Sequence, residues 1–148
     1  MPTKVLIPAG VLGLGFDQAA LARGVAARPD IICIDGGSTD SGPFYLGTGT
    51  SKYARSVCLS EWRMLMLARA EARVPLVIGS CGTCGTAETV DWMYEITCEI
   101  AAELGQSLTV ARLYADQTAS DIVTAHDAGR LSPLVPAPPV DAAAITAC

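Results

Sequence analysis

Three short apolar runs in this chain each stop at a glycine-rich turn, and a helical pattern follows each of them. The runs are Lys4–Pro8, Asp30–Asp35 and Pro75–Gly79. Short runs rich in Val, Ile and Leu are typical of buried β-strands. A strand that leads through a turn into a helix is the unit of a parallel sheet, because parallel neighbours need a crossover connection. The chain is therefore predicted to be an α/β protein.

The later elements continue this alternation. Helices are predicted over Asp17–Ala27, Ser56–Arg73, Glu88–Gly105 and Thr118–Gly129. Asp17 and Thr118 are the expected N-caps, and Gly105 is expected to end its helix in the left-handed conformation. In the second of these, Glu61, Arg63 and Glu71 are expected to face solvent. Two further strands are predicted at Leu108–Tyr114 and Leu131–Leu134.

Regular alternation of strand and helix predicts an open, doubly wound, mainly parallel sheet of four or five strands with helices on both faces. Rossmann-like and flavodoxin-like folds have this architecture. With the flavodoxin-like strand order 2-1-3-4-5, a crevice opens between strands 1 and 3 at their carboxyl ends. The turns Ala9–Phe16 and Gly79–Glu88 would line that crevice, with the Asp35–Gly49 loop beside them.

Composition excludes several classes of partner. The net charge is −5, so the chain lacks a basic footprint for nucleic acid. No apolar run approaches the roughly 20 residues of a membrane span, and the N-terminus lacks a secretory signal. We therefore expect a cytoplasmic protein with neither nucleic acid nor membrane as partner. Most of the six cysteines are expected to be reduced, since Cys33, Cys58 and Cys98 fall in predicted strands and helices.

A dense polar cluster follows the second predicted strand. Asp35 and Asp40 are the candidate catalytic carboxylates and the candidate ligands of a divalent cation such as Mg²⁺. The residues between them are candidates for substrate binding: Gly36, Gly37, Ser38 and Thr39. The alternative is an Asx or Ser/Thr turn, in which these side chains satisfy their own backbone.

The turn after the third predicted strand is a candidate anion site. It carries glycines at regular spacing before a helix, where free backbone N–H groups bind phosphate, carboxylate or an oxyanion. Its substrate-binding candidates are Ser80, Gly82, Thr83, Cys84 and Gly85, with Gly10 in the first turn. The turn lacks the Gly-x-Gly-x-x-Gly fingerprint and the Walker lysine, so no nicotinamide or flavin signature is present. The alternative is a tight turn that needs glycine for packing alone.

Two cysteines in this turn form a Cys-x-x-Cys pair. At a helix N-terminus a thiolate is stabilised, so Cys81 is a candidate nucleophile, and a redox role for Cys81 and Cys84 stays open. The alternative is that both are small residues lining a tight loop. His126, the single histidine, has no identifiable partner and is interpreted as a surface or dipole-stabilising residue.

The C-terminal residues differ from the rest in composition. Residues 1–131 are predicted to form the α/β domain, and residues 132–148 an extended proline-rich tail that leads into a helix capped by Asp141. A helix this short is marginal in water unless it packs on something. We therefore expect it to dock on a partner or on a C-terminal segment, in a chain that is the N-terminal piece of a longer polypeptide or one subunit of a split enzyme.

The strings KVLIPAGVLGLGF, PDIICIDGGSTDSGPFYLGTG, PLVIGSCGTCG and LYADQ resemble the N-terminal region of the acyclic terpene utilisation (AtuA-like) family. The resemblance runs from Lys4 to about Ala144 and is most specific over Asp35–Gly49. It implies catabolism of branched organic acids, often as coenzyme A thioesters. The cysteine pair in the 79–85 turn departs from the small Ala and Gly residues expected there.

Together these features predict a subunit of a catabolic enzyme that binds a small carboxylate or acyl-CoA, with lyase or hydratase chemistry at the ends of the strands. A second subunit, a homo-oligomer, or both are the expected partners. One alternative is a hydrolase or transferase that depends on Cys81. The other is a non-catalytic binding subunit of a hetero-oligomeric enzyme.

Overall fold

The computed structural model describes residues 2–37, 41 and 43–147. The chain forms two compact units, Met1–Tyr114 (unit 1) and Ala115–Cys148 (unit 2). Unit 1 contains the elements β1 (Val5–Leu6), α1 (Gln18–Ala26), β2 (Ile31–Asp35), α2 (Pro43–Thr48), α3 (Arg55–Ala72), β3 (Leu76–Gly79) and α4 (Ala87–Glu103). Unit 2 contains α5 (Ala119–Asp127) and α6 (Ala142–Ala147).

The three strands form one parallel sheet in the order β1-β2-β3. The α/β class is therefore confirmed. Strand 1 does not lie between strands 2 and 3, as the order 2-1-3 requires. Residues 108–114 and 131–134 are not strands in the structure, so a doubly wound sheet of four or five strands is not confirmed.

Helices α1, α3 and α4 pack on one face of this sheet. Ile32 and Ile34 of β2 are buried in a cluster with residues of α1, α3 and α4. Residues that alternate with them point to the opposite face, where Val5, Ile7 and Val77 are 52%, 64% and 46% exposed. Within the described residues, the expectation of helices on both faces is thus not met.

Local signals set the helix ends as expected. The Asp17 side chain accepts a hydrogen bond from Ala20 N at 2.8 Å and caps α1. Gly105, two residues after the end of α4, has the left-handed backbone (φ 62°) predicted for it. α2 is an element that the sequence analysis assigned to a loop.

Unit 2 begins earlier than the predicted boundary at residue 131, and it therefore includes α5. Thr118 caps this helix by accepting from Asp121 N, and Asp141 caps α6 by accepting from Ala144 N at 2.8 Å. The two ring nitrogens of His126 lie 3.1 Å from Asp127 Oδ1 and 3.1 Å from Val140 O. His126 thus links the end of α5 to the residues before α6.

None of the helices in the described ranges combines the length and the apolar character that a membrane crossing requires.

Candidate functional site

The three glycine-rich turns meet at the carboxyl edge of the sheet. Leu12 N donates to Asp35 O at 2.8 Å, which joins the first turn to the end of β2. Gly36 N donates to Gly79 O at 2.6 Å, and Thr83 N donates back to Gly36 O at 3.3 Å. The convergence expected from the sequence is thus found, although the strand order differs.

The contact between the second and third turns depends on two glycines. A Cβ at Gly36 would lie 2.6 Å from Gly79 O, and one at Gly37 would overlap the backbone of Thr83. Such overlaps cannot be relieved by a side-chain rotation, because the obstructing atoms belong to the backbone. Gly36 and Gly37 are therefore packing residues of this edge.

Asp35 ends β2 at this edge with a half-buried side chain. Its Oδ1 accepts from Gly37 N at 3.0 Å, which is the local turn that the alternative interpretation predicts. No other donor to this carboxylate is found among the described residues. Asp40, Ser38 and Thr39 lie outside the described residues.

The metal expectation gains no support from the part of the chain that the structure describes. No group of three or more His, Cys, Asp or Glu side chains there could hold a metal ion. Asp40, the second candidate ligand, is not among those residues.

Two of the candidates in the 79–85 turn are not accessible to a substrate. Thr83 and Gly82 are buried, and Thr83 Oγ1 accepts from Lys52 N at 3.1 Å. Ser80 is exposed and Gly85 is partly exposed, and both have left-handed backbones (φ 47° and 68°). Gly10 is exposed with open space around its α-carbon. Thr83 is therefore a structural link between loops.

The start of α4 lacks a side-chain cap. Its N-cap is Thr86, whose side chain makes no capping hydrogen bond. Thr86 Oγ1 lies instead 3.2 Å from Thr89 Oγ1 and 3.7 Å from Cys84 Sγ. The first N–H groups of a helix lack intrahelical partners and carry the positive end of its dipole. This edge therefore presents donors suited to an anion.

The two cysteines of the turn differ in their ionisation. Burial raises the pKa of Cys81. Partial burial also opposes ionisation of Cys84, but hydrogen bonds from Thr89 and Thr86 outweigh it and lower the pKa of that thiol. The geometry therefore favours Cys84 over Cys81 as the reactive thiol. Cys33, Cys58, Cys81, Cys84 and Cys98 are all free.

Glu61 is buried beside the first turn, so the expectation that it faces solvent is wrong. It is 5% exposed, and its Oε2 and Oε1 accept from Gly13 N and Gly15 N at 2.7 and 2.8 Å. The available signal was helical spacing, since Glu61 falls between Cys58 and Leu65 on the buried face of α3. The amides of the first turn are thus satisfied from within the protein.

Lys52 is a second residue that the sequence analysis missed. Its backbone N–H binds Thr83, and its Nζ donates to Ser41 Oγ at 3.0 Å. Among the described residues no carboxylate pairs with this ammonium group. A lone lysine in a polar loop gives no periodic pattern, so only the fold brings it to the 79–85 turn.

No protein-family model, no curated protein and no solved structure matches the chain.

Proposed function

We propose that unit 1 is the ligand-binding half of a catabolic enzyme that acts on a small organic acid or its coenzyme A thioester. The observation that supports this most is the meeting of the Asp35–Gly37 turn with the 79–85 turn, which leads into the start of α4, at one sheet edge. Ligands of parallel α/β sheets bind at this edge. A carboxylate next to a turn that opens a helix without a side-chain cap suits an anionic substrate that gains or loses a proton.

The reaction we propose is addition or removal of water across a carbon–carbon double bond next to an acyl carbonyl. In the direction of addition, Asp35 takes a proton from water, the hydroxyl joins the β-carbon, and a proton joins the α-carbon. The amides of the first turn of α4 bind the carbonyl or carboxylate oxygen, on which negative charge develops. Ser38 and Thr39 position the substrate, and Asp40 is the second acid or base, or a ligand of Mg²⁺.

The assembly we propose is larger than the chain alone. The resemblance to the acyclic terpene utilisation (AtuA-like) family supports a cytoplasmic enzyme whose site is completed by a second subunit or a second copy. We also propose that the sheet grows there to four or five doubly wound strands. Two observations support this: the outer edge of β3 pairs with no strand among the described residues, and the face around Val77 is exposed.

The test is hydration of crotonyl-coenzyme A by the chain purified with its natural partners, followed by loss of the enoyl absorbance. Asp35→Asn should lower kcat by about 10²- to 10⁴-fold and change KM by less than about threefold. Glu71→Gln, the same change at an exposed residue of α3, is the control. Full activity in Asp35→Asn, or none in the unaltered assembly, would contradict the proposal. If Asp35→Asn leaves kcat unchanged but weakens association with the partner subunits, the chain is a non-catalytic subunit.

The lowered pKa of Cys84 favours a second candidate, thiol-dependent hydrolysis or acyl transfer. The Cys84 thiolate would attack the thioester carbonyl and release coenzyme A, and water or an acceptor would then take the acyl group from sulfur. In this case Cys84→Ser abolishes thioester cleavage and Cys81→Ser leaves it intact. Asp35→Asn would then cleave the thioester at the same rate as the control variant Glu71→Gln.

A further inference from the structure

A groove of about 700 Å³ follows the outer edge of β3. Its far wall is the segment 107–113, which forms no helix or strand, and its floor is formed by apolar side chains of α3 and α4, which include Trp62, Met66, Val90 and Met93. Met66 and Met93 also belong to the buried core. The groove is therefore an opening in the core between a strand edge and this segment.

The backbone of both walls lacks partners. β3 pairs with β2 on one side, and no described backbone hydrogen bond joins it to residues 107–113. The segment is held instead on α4: Arg112 Nη1 and the Tyr114 hydroxyl donate to Asp91 Oδ1 at 2.7 and 2.6 Å. The Arg112 guanidinium also lies 4.4 Å from the centre of the Tyr94 ring. These contacts hold the segment against α4, and the groove separates it from β3.

The volume of the groove is close to that of one short strand. Strands about 4.8 Å apart, rising about 3.3 Å per residue in layers about 10 Å thick, give each residue roughly 160 Å³. The volume of about 700 Å³ therefore corresponds to about four residues. β3 itself has four residues, Leu76–Gly79.

One end of the groove is cationic. Arg69 lines it at the Pro75 end and also lines an adjoining cavity of about 590 Å³ together with Arg73 and Gln106. Neither arginine has an acidic partner among the described residues. Gln106 Oε1 is buried there without a hydrogen-bond donor. An occupant that carries a carboxylate at this end would match the charge.

We propose that the groove is a slot for one extended apolar strand of a partner protein, parallel to β3, with an acidic residue at its N-terminal end beside Arg69 and Arg73. Such a strand pairs its backbone with both walls and buries alternate side chains on α3 and α4, which is β-strand addition. The parallel direction continues the β1-β2-β3 sheet. In this direction the N-terminal end lies at Pro75, where the two arginines are.

The probe is a synthetic peptide of one glutamate, four valine or leucine residues and a glycine–serine tail, titrated calorimetrically into the full chain. Binding should slow amide hydrogen exchange in residues 76–79 and 108–113. Arg69→Met should weaken binding about three- to tenfold, and Arg63→Met, on the same helix but paired with Glu103, should not change it. A peptide with proline at its centre should bind at least tenfold more weakly, because it lacks a main-chain donor.

Three results would overturn the proposal. The first is no binding, or equal binding of the proline peptide, because main-chain pairing carries the argument. The second is protection of the same amides by decanoate but not by the peptide, which would identify a site for an amphiphilic acid. The third is a dimer that Arg69→Met dissociates in sedimentation, which would make the occupant a second copy of this chain.

Discussion

Two amides of the first glycine-rich turn donate to one buried carboxylate, that of Glu61. A carboxylate in the core is costly unless hydrogen bonds compensate it, and these two bonds do so. Burial and this carboxylate also raise the pKa of Cys58, one turn earlier on α3, to about 11. The amides of the first turn therefore bind the Glu61 carboxylate instead of a ligand. The Asp35–Gly37 and 79–86 turns are the two turns left to bind one.

We expect Glu61→Gln to destabilise the protein by about 1–3 kcal/mol, because one of the two amides then faces an NH₂ group instead of an oxygen. Urea unfolding followed by tryptophan fluorescence measures this, since both tryptophans, Trp62 and Trp92, lie in unit 1. The exposed Glu71→Gln should change stability by less than about 0.5 kcal/mol. Equal stability of the two variants would show that the Glu61 bonds contribute nothing.

Cys84 should react with iodoacetamide faster than Cys81 at pH 7. A lowered pKa means that more of the thiol is ionised at neutral pH, so its labelling rate should rise with pH through a midpoint below that of an ordinary thiol. Thr89→Val removes one of the stabilising hydrogen bonds and should move the midpoint upward. Mass spectrometry of tryptic peptides measures both rates, and faster labelling of Cys81 would contradict the geometry.

Among the elements, the segment 107–114 shows how tertiary contacts override a local pattern. Its apolar and β-branched residues are typical of a strand, but it forms none in the structure. Asp91 holds Arg112 and Tyr114 on α4, and this contact is invisible in the sequence because the partners are far apart along the chain. A strand also needs a neighbouring edge, whereas a helix pairs its backbone within itself.

Asp91→Asn should release this segment and speed amide exchange in residues 108–113, because Asn carries no charge for Arg112. Exchange in the core helix α3 should stay unchanged. Hydrogen-exchange mass spectrometry is the measurement. Equal exchange in the variant and the unaltered chain would mean that other contacts hold the segment.

Features that depend on neighbouring residues along the chain were predictable from the sequence. The caps at Asp17, Thr118 and Asp141 belong to this class, as does the left-handed Gly105. The convergence of the glycine-rich turns also followed, because parallel strands end at a common edge. The burial of Glu61, the position of Lys52 and the strand order depend on contacts between distant residues.

In unit 1, helices cover one face of the sheet. Parallel sheets are ordinarily covered on both faces, and their strands then read as continuous apolar runs. The runs here have that composition, which is why the sequence predicts helices on both sides. In the structure Val5, Ile7 and Val77 leave one apolar face exposed.

Shortening a side chain to alanine should therefore lower the free energy of unfolding more on the covered face than on the exposed face. Ile34→Ala, on the face that α1, α3 and α4 cover, should cost about 2–5 kcal/mol of unfolding free energy. Val77→Ala, on the exposed face, should cost less than about 1 kcal/mol. Urea unfolding of both variants checks this, and a large loss for Val77→Ala would mean that the face is covered in solution.

The central claim is that ligand binds where the Asp35–Gly37 turn meets the 79–85 turn, ahead of α4. Backbone amide NMR of the full chain, titrated with crotonyl-coenzyme A, tests it most directly. We predict the largest shift changes at Gly36, Gly37 and residues 79–89. Changes confined to the groove around Arg69, or none at millimolar ligand, would contradict the account.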